Sequence, residues 1–181
     1  DFSFIGGGST AYIQLNNHSV IAGGSKNSIV DSGKNNFIGG GFVNNITYSS
    51  NSIIVGGYQN KINNTYDSGI LNGSSNYICG SPWSSIQGGQ KNNITGYKNA
   101  HIIGSNITAY KPNATFVENL YVTGNLSKAT GTFRIAHPDP NKTADYDLVH
   151  SFVESPTAGE NIYRYEFLYN KGKGFTETSF Y

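Results

Sequence analysis

Isoleucine recurs at a fixed interval along the first two-thirds of the chain. In "IVGGYQNKI", residues 54–62, one Ile opens the segment and another closes it, and near-copies of this nonapeptide occur at 21–29, 38–46 and 86–94. The opening Ile returns at every sixteenth position, except that the step from Ile21 to Ile38 is longer by a single residue. The opening series is Ile5, Ile21, Ile38, Ile54, Ile70, Ile86 and Ile102, and the closing series is Ile13, Ile29, Ile46, Ile62, Ile78 and Ile94, with Tyr110 next in line.

This period predicts an all-β fold. A pair of glycines follows most of the opening isoleucines, and Asn lies six residues after five of them. Gly and Asn disfavour a helix but suit turns and stacked positions. Sixteen residues fit one coil of a parallel β-solenoid, or β-roll, with two short strands and two turns. Seven such coils would rise about 34 Å, with the isoleucines stacked inside. The one long interval predicts a bulge or loop at Gly33.

Two isoleucines per coil make a thin core for a monomer. The residue just before the opening Ile offers a second apolar column in the early coils, as Val20, Phe37 and Ile53. Later coils have Gly69, Ser85 and His101 there, so this column fades. Several chains packed around one axis would bury it. The pattern therefore favours a parallel homotrimer over a monomeric solenoid, which stays open as the alternative.

The repeat over residues 1–110 resembles two groups of fibrous proteins. One is the head of trimeric autotransporter adhesins, and the other is the β-roll shaft of viral and phage fibres. In both, short glycine-punctuated coils stack and three chains share an axis. The coil here is longer, with Ile where those heads use Ala. The resemblance implies a rigid, trimeric, projecting structure.

The repeat is predicted to end near "AYKPNATF", because Pro112 has no amide hydrogen to give to a neighbouring strand. The chain then divides into a repeat shaft or head (1–112), transition strands (113–132) and a small β-rich distal module (133–181). The transition strands resemble the segment that follows the shaft in tail-fibre chains. The distal elements "HPDP", "HSFVESP" and "NIYRY" resemble a module at the end of fibre-like proteins of large DNA viruses of algae and of some bacteria.

Composition narrows the function classes. The chain of 181 residues has a net charge of +1, which gives no electrostatic basis for binding nucleic acid. No apolar run approaches the roughly 18 residues of a membrane span. The single cysteine, Cys79, rules out a disulfide framework and is expected to be a small buried residue. The absence of Met indicates a processed or partial piece of a longer protein.

Nine Asn-x-Ser/Thr sequons point to an extracellular glycoprotein if the source is eukaryotic. Asn45, Asn63 and Asn93 each neighbour an inward Ile, so alternation along a strand directs them outward. Asn72 replaces a turn glycine and is not expected to be used, because that turn should be crowded. The candidates are Asn17, Asn45, Asn63, Asn93, Asn106, Asn113, Asn125 and Asn141.

Groups that could do chemistry are few, and no enzyme, metal site or cofactor is predicted. Residues 1–112 hold just three acidic residues, Asp1, Asp31 and Asp67, so the shaft lacks the paired carboxylates of a glycosidase. A metal or acid–base cluster in the distal module is weighed against turn chemistry, which is favoured. The distal candidates for the metal or acid–base cluster are His137, Asp139, Asp145, Asp147, His150 and Glu154. The candidates for a self-cleaving Ser–Lys or Ser–Asp pair are Ser151, Ser155, Lys142 and Asp147.

Exposed aromatic residues raise the alternative of a sugar-binding surface. The candidates are Trp83, the single tryptophan, with Tyr48, Tyr58, Tyr66 and Tyr97. The favoured interpretation is that they cover thin coils or seams between subunits.

The resulting hypothesis is a structural fibre or appendage on a virion surface, which attaches the particle to its host. Its partners would be two further copies of the chain, and a host-surface glycan or receptor. The alternatives are a cellular or bacterial trimeric surface adhesin, and a glycan-binding, glycan-degrading or self-cleaving fibre tip.

Overall fold

The computed structural model describes residues 2–125 and four short strands at 132–136, 147–151, 153–154 and 161–162. It divides into two compact units, Asp1–Tyr121 and Val122–Tyr181. The described residues contain no helix, so none of them forms an apolar helix able to cross a membrane. The first unit is a parallel β-solenoid of about seven coils, in which equivalent positions of successive coils are typically sixteen apart in sequence.

Two parallel sheets form the solenoid, because each of the first six coils contributes one strand to each sheet, and β13 and β14 extend the eight-stranded sheet alone. The eight-stranded sheet consists of β1 (Phe4–Ile5), β3 (Val20–Ile21), β5 (Phe37–Ile38), β7 (Ile53–Ile54), β9 (Gly69–Ile70), β11 (Ser85–Ile86), β13 (Ala100–Ile103) and β14 (Ala114–Val117). The six-stranded sheet consists of β2 (Tyr12–Asn17), β4 (Ser28–Lys34), β6 (Asn45–Thr47), β8 (Lys61–Asn63), β10 (Tyr77–Cys79) and β12 (Asn93–Thr95).

Isoleucines stack in register inside both sheets. In the eight-stranded sheet Ile38 pairs with Ile54, which pairs with Ile70, and the six-stranded sheet repeats the pattern from Ile46 to Ile62. Every Ile of the two series from Ile21 to Ile102 is fully buried. Ile5 is 42% exposed and Ile13 is half-buried, because among the described residues this coil has a neighbouring coil on one side only.

Much of the interior is polar, and its hydrogen bonds run from coil to coil. The Nδ2 of Asn60 donates to the carbonyl of Gly56 at 3.0 Å and to that of Gly73 in the next coil at 2.9 Å. Its Oδ1 accepts from the backbone N–H of Asn76. The same pattern repeats at buried Asn27, Asn44, Asn60, Asn76 and Asn92.

Two columns of small polar residues complete the interior. The Oγ of Ser68 accepts from the backbone N–H of Ser84, and the Oγ of Ser84 accepts from that of Ala100. In the other column, the Oγ of Ser81 accepts from the N–H of Tyr97. No buried polar side-chain atom of the described residues lacks a hydrogen-bond partner. The low apolar content of the chain follows, since serine and asparagine fill positions that isoleucine would take in an ordinary core.

The long interval is a bulge in strand β4. Gln14 pairs with Val30 and Asn16 pairs with Gly33, so Asp31 and Ser32 lie opposite a single residue. Gly33 itself lies at a crowded interior position, where an added Cβ would come within 1.9 Å of the carbonyl oxygen of Ser49. The predicted irregularity is therefore present, beginning two residues before Gly33.

The solenoid continues past the boundary predicted at residue 112. Strand β14 pairs in parallel with β13, with Phe116 opposite Ile102, so this coil is shorter than the others by two residues and Pro112 lies in its turn. The shorter coil also corrects the expectation for Tyr110. Thr108 pairs with Asn93, which places Ala109 inside and leaves Tyr110 70% exposed against the edge of Phe116.

The second unit contains two antiparallel pairs among the described residues. Strand β15 (Thr132–Ala136) pairs with β16 (Asp147–Ser151), and β17 (Val153–Glu154) pairs with β18 (Asn161–Ile162). Asp147, His150 and Ser151 of the predicted cluster lie on β16, and Glu154 lies on β17. The other candidates, His137, Asp139, Asp145, Lys142, Ser155 and the sequon Asn141, lie outside the described residues.

Candidate interaction surfaces

The outer face of the eight-stranded sheet carries an apolar stripe, formed by residues on either side of the buried Ile. In the first four strands the apolar residue comes just before the Ile. From the fourth strand on it comes just after, except in β11, where the inner Ile86 lies between Ser85 and Gln87. The stripe comprises Phe4, Val20, Phe37, Ile53, Val55, Leu71, Ile103 and Val117, each exposed or half-buried. The column of residues just before the inner Ile fades at Gly69 because the stripe changes to the other side of the Ile there.

Side-chain sizes on the two sides of the Ile compensate each other. The ring of Phe37 lies over Gly39, with its Cε1 3.2 Å from where a Cβ of that glycine would be, and Phe4 covers Gly6 in the same way. At Ile70 the order is reversed, because the small residue, Gly69, comes before the inner Ile and the large residue, Leu71, comes after it. Each strand thus presents about one bulky residue to the outside, which keeps the surface even.

This face has no Lys, Arg, Asp or Glu beside any of its inner residues. Its polar part is confined to the later strands, where the Nδ1 of His101 lies 2.8 Å from the Oγ of Ser85 and its Nε2 lies 3.1 Å from the Oδ1 of Asn99. An uncharged stripe that is apolar in every strand except β11 is the kind of exposed surface that marks an interaction site.

The outer face of the six-stranded sheet is polar and bears three of the sequons. Asn45 and Asn93 precede the inner Ile, Asn63 follows it, and all three side chains are half-buried. Thr95 donates to the Oδ1 of Asn93 at 2.7 Å, and Thr47 donates to that of Asn45. The outward direction expected for these asparagines is the one observed.

Of the remaining described sequons, Asn17 is the last residue of strand β2, Asn125 lies past strand β14, and the others lie in turns. Asn17, Asn106, Asn113 and Asn125 are exposed. Asn72 is exposed too, with its Oδ1 accepting from the N–H of Gly73 at 2.7 Å. The expectation that a crowded turn would keep Asn72 from carrying a glycan is therefore wrong.

Cys79 lies on this polar face rather than in the interior. It follows the inward Ile78, so alternation turns it outward, and its side chain is half-buried. The Nδ2 of Asn63 lies 3.6 Å from its Sγ. The hydrogen bond with Cys79 raises the pKa of the Tyr77 hydroxyl, and burial raises it further, while Asn63 acts in the opposite direction. The expectation of a buried apolar cysteine is wrong.

A shallow groove of about 630 Å³ runs along the axis beside these residues. One wall is formed by Val43, Gln59 and Ser75, and the other by Asn45, Lys61 and Tyr77. The Nζ of Lys61 stands 5.8 Å from the ring centre of Tyr77. The groove is open to solvent, and its floor contains buried Asn60 and Asn76, whose amides already bond within the ladder.

The aromatic candidates occupy two opposite turns. Trp83 and Tyr66 meet edge to face, with ring centres 5.2 Å apart, and both are exposed. Phe42 and Tyr58 stack in parallel at 5.8 Å, with the Nζ of Lys26 5.3 Å from the Phe42 centre. Tyr48 is 60% exposed, whereas Tyr97 is half-buried against the core.

The two acidic residues of the shaft that the structure describes, Asp31 and Asp67, are not brought together. Asp31 lies in the bulge of β4, and Asp67 lies two coils further on, in the turn that precedes β9. Within the part of the chain that the structure describes, no three His, Cys, Asp or Glu side chains gather where they could hold a metal ion.

Comparison with known proteins gives no family for this chain. No protein-family model matches it, and no curated protein matches it.

Proposed function

We propose that the chain is a segment of a structural fibre that projects from a virion surface and attaches the particle to its host. Two kinds of ladder support a mechanical role. Isoleucines stack along both sheets, and asparagine and serine side chains link every coil to the next. Bending would lengthen these hydrogen bonds on one side of the rod. The distal module's resemblance to fibre proteins of large DNA viruses supports the virion setting.

The apolar stripe is the single observation that carries the proposal, because it supports assembly into a homotrimer. A contiguous exposed apolar stripe marks a surface that a partner covers. A second copy of the chain has the same spacing between coils, so its stripe can meet this one at each coil along the axis except that of β11. The absence of charge beside the inner residues means that identical faces do not repel each other. Three chains around an axis would bury all three stripes.

The polar sheet would then face outward. Its asparagines at 45, 63 and 93 lie away from the stripe, and no strand of the eight-stranded sheet contains a sequon asparagine, although Asn113 directly precedes β14. Glycans on the six-stranded sheet would therefore not hinder trimer formation. The proposal thus includes a glycosylated, extracellular surface.

Sizing by light scattering tests the assembly. At micromolar concentration the 181-residue chain should elute with three times its own mass, and a rod should be visible by negative-stain electron microscopy. The labelled trimer should then bind saturably to algal cells that are hosts of large DNA viruses, and excess unlabelled trimer should displace it. A monomer at micromolar concentration, or a trimer without saturable binding to any such cell, would contradict the proposal.

A further inference from the structure

Trp83 occupies a turn position that the other coils give to Asn, Asp or His. The backbone there is left-handed in every coil, with φ between 52° and 58°. Asn and Asp tolerate this conformation, whereas a large aromatic residue is uncommon in it. The seven residues at this position are His18, Asn35, Asn51, Asp67, Trp83, Asn99 and Asn113.

Trp83 also interrupts a hydrogen-bonded column on the surface. Asn35 donates to Asn51, and Asn51 donates to Asp67, both at 3.0 Å. The column resumes in the coil after Trp83, where Asn99 donates to Asn113 at 3.2 Å. An Asn in place of Trp83 would fit both the backbone and the column, so the tryptophan has no architectural advantage at this position.

The indole does not serve the core either. Trp83 is 48% exposed and Tyr66, in the preceding coil, is 44% exposed. The rings are perpendicular, and the backbone N–H of Trp83 donates to the carbonyl of Tyr66 at 3.2 Å. Pro82 restrains the backbone immediately before the indole. The result is a rigid aromatic platform at the turn, made by one chain. In the other exposed pair, Phe42 and Tyr58 stack face to face and so cover one face of each ring.

We propose that Trp83 and Tyr66, flanked by Asp67 and Asn99, bind a neutral oligosaccharide. The C–H groups of a pyranose ring carry partial positive charge and pack on the electron-rich face of an indole. Asp67 and Asn99 lie one coil before and one coil after Trp83 in the same column, where their side chains can bond to sugar hydroxyls. The Asp67 carboxylate accepts one hydrogen bond, from Asn51, and retains further acceptor capacity. The negative charge of Asp67 disfavours the binding of acidic sugars. The Lys98 side chain lies one coil after Trp83, in the column next to that of Asp67.

The site goes beyond the fibre proposal, because all of its residues come from neighbouring coils of a single chain. A finding that the protein is monomeric would overturn the proposed trimer and leave this site intact. Conversely, a trimer that binds cells through another surface would support the proposed trimer and overturn this site.

The single tryptophan makes the site directly observable. Neutral oligosaccharides ending in mannose, galactose or glucose, and sialylated counterparts, are titrated while the emission of Trp83 is followed. At least one neutral series should give a saturable change in intensity or wavelength. The sialylated counterpart should bind several-fold more weakly. No saturable change with any neutral sugar, or tighter binding of the sialylated ones, would overturn the proposal.

Matched variants separate binding from architecture, with affinities measured by saturation-transfer NMR. Trp83→Asn should fold with an unchanged or raised melting temperature and lose affinity by about tenfold or more, as expected when an aromatic stacking partner is lost. Tyr58→Ser, which removes an aromatic residue at the opposite turn where other coils have Ser, should keep its affinity within about twofold. If Trp83→Asn does not fold, Trp83→His replaces it in the test, because the first coil has His18 at this position. Wild-type affinity in a folded Trp83 variant would overturn the proposal.

Discussion

The backbone N–H of Asn44 donates to the side-chain Oδ1 of Asn27 across 2.9 Å, although 17 residues separate the two. Each buried Asn repeats this contact with the next coil. The side chain thus acts as an additional backbone amide, with its Nδ2 as donor and its Oδ1 as acceptor. Since amide and carboxylate have nearly the same shape, the donors of this column can be tested without changing its packing.

Replacing Asn60 by Asp should strongly destabilise the solenoid. The substitution removes the Nδ2 donor to Gly56 and Gly73 and places a carboxylate beside two carbonyl oxygens. The expected loss in free energy of unfolding is about 3 kcal/mol or more, from two lost bonds and an unpaired buried charge. Urea denaturation at neutral pH measures it. Asn64→Asp, at an exposed neighbouring position, should change stability by less than about 0.5 kcal/mol.

The loss should shrink in acid. Burial among carbonyls raises the pKa of the introduced carboxyl above its value in the unfolded chain. The pKa of the introduced carboxyl is about 3.9 in the unfolded chain and higher in the folded chain. The Asn60→Asp variant therefore loses stability as pH rises through this interval and regains it as pH falls. Since the protonated carboxyl can also donate one bond, unfolding curves at pH 4 and pH 7 should differ more for this variant than for wild type. Equal differences would argue against the ladder.

The adjacent glycines Gly56 and Gly57 should respond in opposite ways to Ala. Gly57 has φ +97°, and a Cβ there would lie 2.1 Å from the carbonyl oxygen of Gly73 and 2.6 Å from the Nδ2 of Asn60. Gly57→Ala should cost about 3 kcal/mol or more, since backbone strain and a clash combine. At Gly56 a Cβ meets nothing within 4 Å, so Gly56→Ala should be neutral or stabilise by about 0.4–1 kcal/mol. Thermal unfolding of both proteins gives the comparison, and similar losses would show that the coil geometry is wrong.

The sequence predicts some of the stacked interior columns of the solenoid and not others. The isoleucine columns were predictable, because an apolar residue at a constant interval can be buried on one side of a coil only if the coils stack. The serines at positions such as Ser68 and Ser84 recur just as regularly, but serine is also a common turn residue, so their interior position left no distinct signal. Tyr110 was misplaced because the last coil is shorter, and only strand pairing reveals that.

The candidate surfaces were predictable in part, for a different reason. The outward direction of Asn45 and Asn63 follows from alternation beside an inner Ile. The apolar stripe was half visible, since Phe37 and Ile53 precede the inner Ile whereas Leu71 and Ile103 follow it. Recognising one surface required knowing that both flanking positions point outward from the same sheet. The exposed pair of Trp83 and Tyr66 needed the coil geometry, because the two rings belong to consecutive coils and are distant in sequence.

Leu71→Asp should separate the subunits of the proposed trimer. Leu71 is 43% exposed in the isolated chain and lies where the stripe has changed position. A carboxylate there would be buried against its copies at the axis, at a cost that a trimer interface does not tolerate. Light scattering should show a monomer, and circular dichroism should retain the β signal. Gln14→Asp, on the exposed outer face of the six-stranded sheet, should remain trimeric. A trimeric Leu71→Asp protein would place the contact elsewhere.

A glycan on Asn63 should shield Cys79 from thiol reagents. The Nδ2 that would carry the sugar lies 3.6 Å from the Sγ of Cys79, and both side chains are half-buried on the same outer face. In protein secreted from eukaryotic cells, alkylation of Cys79 should therefore be about tenfold slower or more than in Asn63→Gln, because the first sugar ring covers the thiol. Intact mass reports both glycan occupancy and alkylation. Asn17→Gln removes a sequon at the far end of β2 and should leave the alkylation rate unchanged. Equal rates in glycosylated wild type and Asn63→Gln would mean that the glycan extends away from the sheet.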